Sequence, residues 1–441
     1  MRKTAFLTVA ATFALLSTLA AKTYFKGVCD KDALSYKSGE EIVFSVSLIE
    51  DGKPKGGQKV KYVRRGDDGK TDSGEFVSAT DKPFVYKTSI AAPGYVHLRM
   101  EAVGDDGKPL KDADKFDGGA CADFDKITPS APEPKDFDKY WKARKRALKK
   151  IQMKAELTPL PDKSKGGIDV YEIKIDSVGE PVRGYLSVPK NAAEKSLPAR
   201  AVFQGYGVSD MHYWPMGDCI AIFVSPHSMD MGKDKAYYDG LKKGRLAGFG
   251  FEKELPSPKD SYFDGMILRD LRALEYLRSR PEWNGRDLTV SGGSMGGFQA
   301  IATAALDPKV TGCKSSITWM CDLGGKGAGR LGGWLPDYLP NRAYFDSANL
   351  GRRIKCPVEI DAGLGDYTAL PRGSPRFTTT FRRQKKSFSP RGGRTGTRLP
   401  IPPRSIRAPK ARRNRTADFT MRKARGFGTP RLFLQDCFRR A

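Results

Sequence analysis

Histidine is nearly missing from this chain: its 441 residues hold His97, His212 and His227 and no other. A His-rich metal centre is thereby excluded, and so is a histidine base anywhere beyond residue 227. Cysteine is scarce as well, with seven in the chain. Cys219, Cys313, Cys321, Cys356 and Cys437 show no metal-ligand spacing, and buried thiols or one bridge among them is the default. Cys29 and Cys121 lie near the two ends of the first β-rich segment, which leaves a single bridge and two free thiols both open.

Acidic residues are missing from the end of the chain. From Pro371 to Ala441 there is no Glu, and Asp418 and Asp436 stand against 21 Lys+Arg and eight prolines. The net charge of +26 is therefore mostly local, since the other 370 residues carry 56 bases and 49 acids, a net +7. Segment 371–441 has no composition from which a packed domain is built, and it reads as a disordered tail. Clustered Lys and Arg invite a phosphate-binding reading. The tail lacks regular aromatic interleaving and any nucleic-acid-binding motif, so nucleic acid is not the expected partner.

Long apolar runs are absent except at the start. Arg2 and Lys3 precede an apolar stretch from Ala5 to Leu19, and Ala20 and Ala21 offer a cleavage site before Lys22. Residues 1–21 read as a secretory signal peptide, so a secreted or periplasmic chain with no membrane partner after cleavage is expected. The mature body then carries an ordinary charge.

Residues 22–126 read as a small all-β, sandwich-like domain. Glu41 to Glu50, Gln58 to Arg65, Phe84 to Ile90 and Tyr95 to Val103 alternate apolar and polar residues, with Asp-Gly and Pro-Gly turn signals between them. This module shows no catalytic constellation, and packing on its neighbour is its simplest role. The Pro-rich stretch 127–136 marks a boundary. Residues 127–370 then change pattern. Phe137 to Met153 is a basic amphipathic helix, read as a solvated outer face, and β-branched runs follow. These are Val170 to Ile175, Arg183 to Val188, Ala201 to Phe203, Ile220 to Val224, Leu288 to Ser291, Val310 to Thr318 and Val358 to Ile360. Helical stretches such as Ser261 to Arg280 separate several of them, which predicts a mostly parallel α/β sheet with helices on both faces.

Chemistry concentrates in Leu288 to Leu306, LTVSGGSMGGFQAIATAAL. A β run enters Gly292, Gly293, Ser294, Met295 and Gly296, and an Ala-rich helix leaves at once, as a G-x-S-x-G nucleophile elbow requires. Side chains at Gly292 or Gly296 would collide with the neighbouring strand or helix in so sharp a turn. A phosphate-binding loop is excluded because no Lys follows the glycines. Hydrolysis at such a serine needs two backbone N–H donors for the oxyanion. Met295 supplies one by position, and Tyr206, in Gly205-Tyr206-Gly207 after the run Ala201 to Phe203, is placed for the other. The acid should follow a later strand, and Asp366 in the glycine loop after Val358 to Ile360 fits better than Asp361, where the run is ending.

Several stretches taken together resemble the acetyl xylan esterase and cephalosporin-C deacetylase family. They are RLAGFGFEKE (245–254), SYFDGMILRDLRALEYL (261–277), PEWNGRDLTVSGGSMGGFQAIATAALDP (281–308), ITWMCDLGG (317–325) and IKCPVEIDAGLGDY (354–367). The resemblance spans about 137–367 and implies an α/β-hydrolase fold, acetylated carbohydrate as the substrate, Ser294 as nucleophile and Asp366 as acid, with no metal or organic cofactor. The family usually has Gln after the nucleophile where this chain has Met295, a change that a backbone donor tolerates. Other readings stay open: a dienelactone-hydrolase-like or peptidase-like enzyme, or a carbohydrate-binding protein without turnover. The sequence leaves the oligomeric state open.

The pattern breaks after Asp366. The resemblance implies a histidine some tens of residues further on, and none is there. His227 is the nearest in topology, but it would approach from the wrong loop. Translation out of frame accounts for the break. If each new codon takes the third base of one residue and the first two of the next, Thr368 to Gly373 permits Cys-Pro-Pro-Ser-Gly. Phe377 to Thr380 permits Tyr-Asn-Asn and Thr395 to Thr397 permits Gly-His in the same frame, matching the family's continuation and predicting one missing nucleotide near codon 368.

Overall fold

Period-two alternation in the first third of the chain builds two antiparallel sheets that share one interior. A computed structural model describes residues 23–368; the expected leader and basic tail lie outside the described residues. The strands are β1 (Thr23–Cys29), β2 (Ile42–Glu50), β3 (Lys53–Pro54), β4 (Lys59–Gly66), β5 (Thr71–Val77), β6 (Phe84–Thr88), β7 (Gly94–Ala102) and β8 (Phe116–Ala122). One sheet joins β1, β3 and β6 to β2, and the other runs β5-β4-β7-β8. Phe44, Val46 and Leu48 from the first sheet meet Val60, Leu98, Met100 and Phe116 from the second in a sandwich core. Cys29 and Cys121 are free thiols. Strand β8, FDGGACA, which is not among the alternating runs named from the sequence, is buried along its whole length.

An eight-stranded sheet follows, formed by β9 (Ala155–Pro159), β10 (Ile168–Ile175), β11 (Val182–Pro189), β12 (Leu197–Phe203), β13 (Ile220–Ser225), β14 (Trp283–Gly293), β15 (Gly312–Ser316) and β16 (Val358–Asp361). Its order is β16-β15-β14-β12-β13-β11-β10-β9. The pairings from β13 through β12, β14 and β15 to β16 are parallel, while β9, β10, β11 and β13 pair antiparallel. The expected mostly parallel sheet is thus a parallel half carrying an antiparallel edge, the arrangement of a mixed sheet.

Helices α1 (Phe137–Lys149), α2 (Lys235–Lys243), α3 (Tyr262–Ser279), α4 (Met295–Leu306) and α5 (Ser347–Leu350) complete the layers. Strand β13 shows both faces buried: Ile220, Ile222 and Val224 point into a core shared with α1, α3 and α4, and Ala221 and Phe223 into a second cluster with Tyr238 of α2. β15 and β16 are covered less evenly. Val358 and Ile360 are buried, whereas Lys314 and Glu359 pair at 3.2 Å on a more open face. Helix α1 corrects the expectation of a simple outer face. Its Phe137, Trp141 and Leu148 are each 1% exposed, and Arg144 and Tyr140 hold the buried Asp264 of α3. No helix among the described residues is long and apolar enough to cross a membrane.

Candidate active site

Residues at the C-terminal ends of the parallel strands make the site, where open α/β sheets place their ligand crevices. Strand β14 ends at Gly293, and α4 starts at Met295, so a single residue, Ser294, makes the corner. That corner gives Ser294 φ 56° and ψ −119°, a strained geometry for a residue with a side chain. The glycines permit it. A Cβ on Gly292 would lie 2.4 Å from the Gly296 carbonyl, and one on Gly296 would lie 2.2 Å from the Phe203 oxygen at the end of β12. Gly293 pairs with Ser316 on β15. Backbone bonds fix the corner: Ser294 N–H donates to Ser316 O at 2.9 Å, and Ser294 O accepts from Phe298 N at 3.0 Å and Trp319 N at 3.2 Å.

Of the other expected residues, Tyr206 and Asp366 follow other strands of the same sheet, and Met295 follows Ser294 directly. Tyr206 follows β12, whose Phe203 pairs with Gly292. Its ring stacks on Phe249 at 4.1 Å and its Oη donates to Phe249 O at 3.1 Å, which fixes the loop that carries its N–H. Met295 heads α4, where a helix leaves its first N–H groups without intrahelical acceptors. Its side chain is fully buried, so packing rather than chemistry fixes it. Asp366 lies five residues past the end of β16, two strands from Ser294. Asp366 N–H donates to Gly363 O at 3.0 Å, and its carboxylate accepts the Thr368 N–H at 2.8 Å. Asp361 is the last residue of β16 and uses its carbonyl to take the Ile317 N–H.

The three histidines lie in different parts of the fold. His97 lies in β7 of the sandwich, and His212 is exposed on the loop between β12 and β13. His227 is 1% exposed, with Nδ1 2.7 Å from the Tyr262 hydroxyl and its ring edge against Phe249. Burial, followed by the Arg269 charge, pushes it from 6.5 down to about 3, which keeps the ring neutral.

Two features escaped the sequence reading. Gln299, fully buried in α4, donates from Nε2 to Gln204 O at 2.9 Å and so ties the Tyr206 loop to the nucleophile helix. A lone amide among the apolar residues of that helix was the available signal. The second feature is the sandwich. Leu364, in the loop that carries Asp366, is buried in the sandwich core, and Leu331 packs there too while its N–H donates to Asp67 Oδ1 at 3.0 Å. A Cβ on Gly119 of β8 would lie 2.0 Å from Leu364 O, and one on Gly365 would lie 1.9 Å from Asp117 O. Arg99 of β7 sits 4.4 Å over the Tyr367 ring. The glycines at these positions allow this backbone approach.

The loop after β15 lies against the elbow, where Trp319 N–H donates to Ser294 O. Ile317, Met320 and Asp322 all take positive φ there, and Asp346 accepts the N–H groups of Asp322, Leu323 and Ala348 at 3.0, 2.8 and 2.8 Å. Those bonds favour the ionised carboxylate, yet complete burial outweighs them and pushes Asp346 up to about 6.

This geometry can be compared with known proteins. Residues 120–325 match the acetyl xylan esterase family. The matched acetyl xylan esterase segment contains Tyr206, Ser294 and Met295 and stops before Asp366. The acetyl esterase Axe7A of Xylanibacter ruminicola is 24% identical over 356 residues, covering 76% of this chain and 78% of that protein. Among solved structures, an acetyl xylan esterase from Paenibacillus sp. R4 has a TM-score of 0.48 at 21% identity, covering 58% of this chain and 90% of its own. Acetyl xylan esterase 1 from Thermoanaerobacterium sp. JW/SL YS485 gives 0.46 at 18%, covering 58% and 88%. The sheet, the elbow and the segment match agree on an α/β-hydrolase fold behind an all-β module.

Proposed function

We propose that this chain is a secreted carbohydrate esterase that removes acetyl groups from acetylated sugars, and that it lacks its catalytic base. The observation that carries the reading is the Ser294 corner, with its φ of 56° and two glycines that leave no room for side chains. Ser294 Oγ attacks the acetyl carbonyl, and the N–H groups of Met295 and Tyr206 stabilise the oxyanion. The sugar hydroxyl leaves, and water attacks the acyl-enzyme to release acetate and regenerate Ser294. A histidine takes the serine proton and passes it to the leaving oxygen, with Asp366 fixing the tautomer of that histidine.

That histidine is the absent part. His227 is buried, neutral and bonded to Tyr262, which makes it a structural residue. The reading frame after Tyr367 supplies the missing base when one nucleotide is restored, through the Gly-His step permitted at Thr395 to Thr397. The leading segment 1–21 supports secretion through its basic start and apolar run.

Two experiments test the reading. Sequencing the gene through codon 400 should find a base missing near codon 368; an intact, unambiguous frame overturns the frame argument. Acetate release from acetylated xylo-oligosaccharides by a frame-restored chain should disappear in Ser294→Ala, and retention of activity in that variant overturns the serine mechanism.

A further inference from the structure

Trp334 and Trp214 are the large aromatic side chains with the greatest exposure among the described residues, at 41% and 45%. They differ in their surroundings. Trp214 lies against Phe223, on the second face of the sheet. Trp334 lies in a group of rings that reaches the elbow through Trp319. Trp319 stacks on it at 5.3 Å, Tyr206 meets it edge-on at 4.6 Å and Phe251 is tilted against it at 5.2 Å. Two of those neighbours belong to the machinery already described: Trp319 N–H bonds Ser294 O, and Tyr206 is the candidate oxyanion donor.

Packing explains Trp319, which is 1% exposed, but it does not explain a solvent-facing indole on the same stack. Trp334 is also anchored by its backbone, with its N–H donated to Thr368 O at 3.0 Å and its O accepting from Trp319 Nε1 at 2.5 Å. The ring is therefore held in place before any ligand arrives, and little rotamer freedom remains to be lost on binding. We propose that Trp334 is a stacking platform for the pyranose ring of the acetylated sugar whose ester reaches Ser294. The C–H face of a pyranose is apolar and flat enough to cover an indole, while its hydroxyls stay in water at the rim. This inference rests on the esterase reading for the identity of the ligand and adds the residue that recognises the sugar rather than the acetyl group.

The test is a binding titration of the full chain, carrying Ser294→Ala to prevent turnover, with acetylated xylotriose as the probe. Trp334→Ala should weaken binding by about tenfold or more, the scale expected when an aromatic anchor is truncated. Trp334→Phe keeps a ring face and should retain most of the affinity, and Trp214→Ala should leave it unchanged. Circular dichroism and melting temperature identify any variant that fails to fold, in which case Trp334→Phe against Trp334→Leu decides the question. Equal binding by wild type and Trp334→Ala, or no binding by any form, overturns the proposal. The esterase reading fails differently, by absence of acetate release from any acetyl ester in a frame-restored chain.

Discussion

Ser294 pays for its exposed position with backbone strain, because φ 56° is a region that glycine enters freely and serine does not. Ser294→Gly should therefore stabilise the chain by about 1 kcal/mol, the usual gain from relieving such a residue. Urea unfolding of the two proteins measures it, and an unchanged or lower midpoint would show that the corner is unstrained. His227 makes a second prediction. Its pKa falls from 6.5 to about 3 in the fold, so the neutral ring is the form that the fold favours. That contribution is complete above pH about 6.5 and is lost as pH falls toward 3, by up to about 1.4 kcal/mol per pH unit. Asp346, pushed up to about 6, and Asp270, also raised by burial, act with the opposite sign, so the comparison has to be made against a variant. Melting temperatures from pH 7 to pH 4 should fall more steeply for wild type than for His227→Phe. Parallel slopes would mean that the ring is protonated without penalty.

Between elements, two contacts carry the arrangement that the site needs. Asp264 of α3 is 2% exposed and receives Tyr140 and Arg144 from α1. Asp264→Asn leaves Arg144 without its partner and should destabilise the chain by about 3–5 kcal/mol, the range for breaking a buried ion pair. Chemical denaturation checks it, and a loss under about 1 kcal/mol would reduce the pair to the worth of a surface contact. The seat of the Asp366 loop on the sandwich is the other contact. Gly119→Ala and Gly365→Ala each place a methyl about 2 Å from a backbone carbonyl, where no flexible side chain can yield. Each should cost about 1–3 kcal/mol and increase amide exchange at residues 362–368 while leaving α4 protected. Unchanged exchange in that loop would mean that the sandwich does not hold it.

For the whole molecule, the reading from sequence succeeded where local pattern and chemistry coincide. The strands at Val170, Arg183, Ile220 and Val358 and the elbow at Ser294 all formed because their apolar runs and glycines had one consistent use. It did less well where tertiary contact overrides local signal. Strand β8 is not among the strands expected, and its glycines show their use only where the Leu364 loop lies against them. The basic face of α1 hid a helix whose other side is core, and Gln299 shows its purpose only once the Tyr206 loop is beside it. The N-terminal module is the largest such case, since its link to the Asp366 loop joins residues far apart in sequence.

The central claim is that Ser294 is the nucleophile of a carbohydrate esterase whose base was lost with the reading frame. Acetate release from acetylated xylo-oligosaccharide, measured side by side for this chain, the frame-restored chain and the Ser294→Ala form of each, tests it most directly. Loss of a triad member lowers turnover by roughly four to six orders of magnitude. The account predicts near-background release by this chain, strong release by the restored chain and none above background in either Ser294→Ala form. Equal, strong release by this chain and the restored one, or release that survives Ser294→Ala, would contradict it.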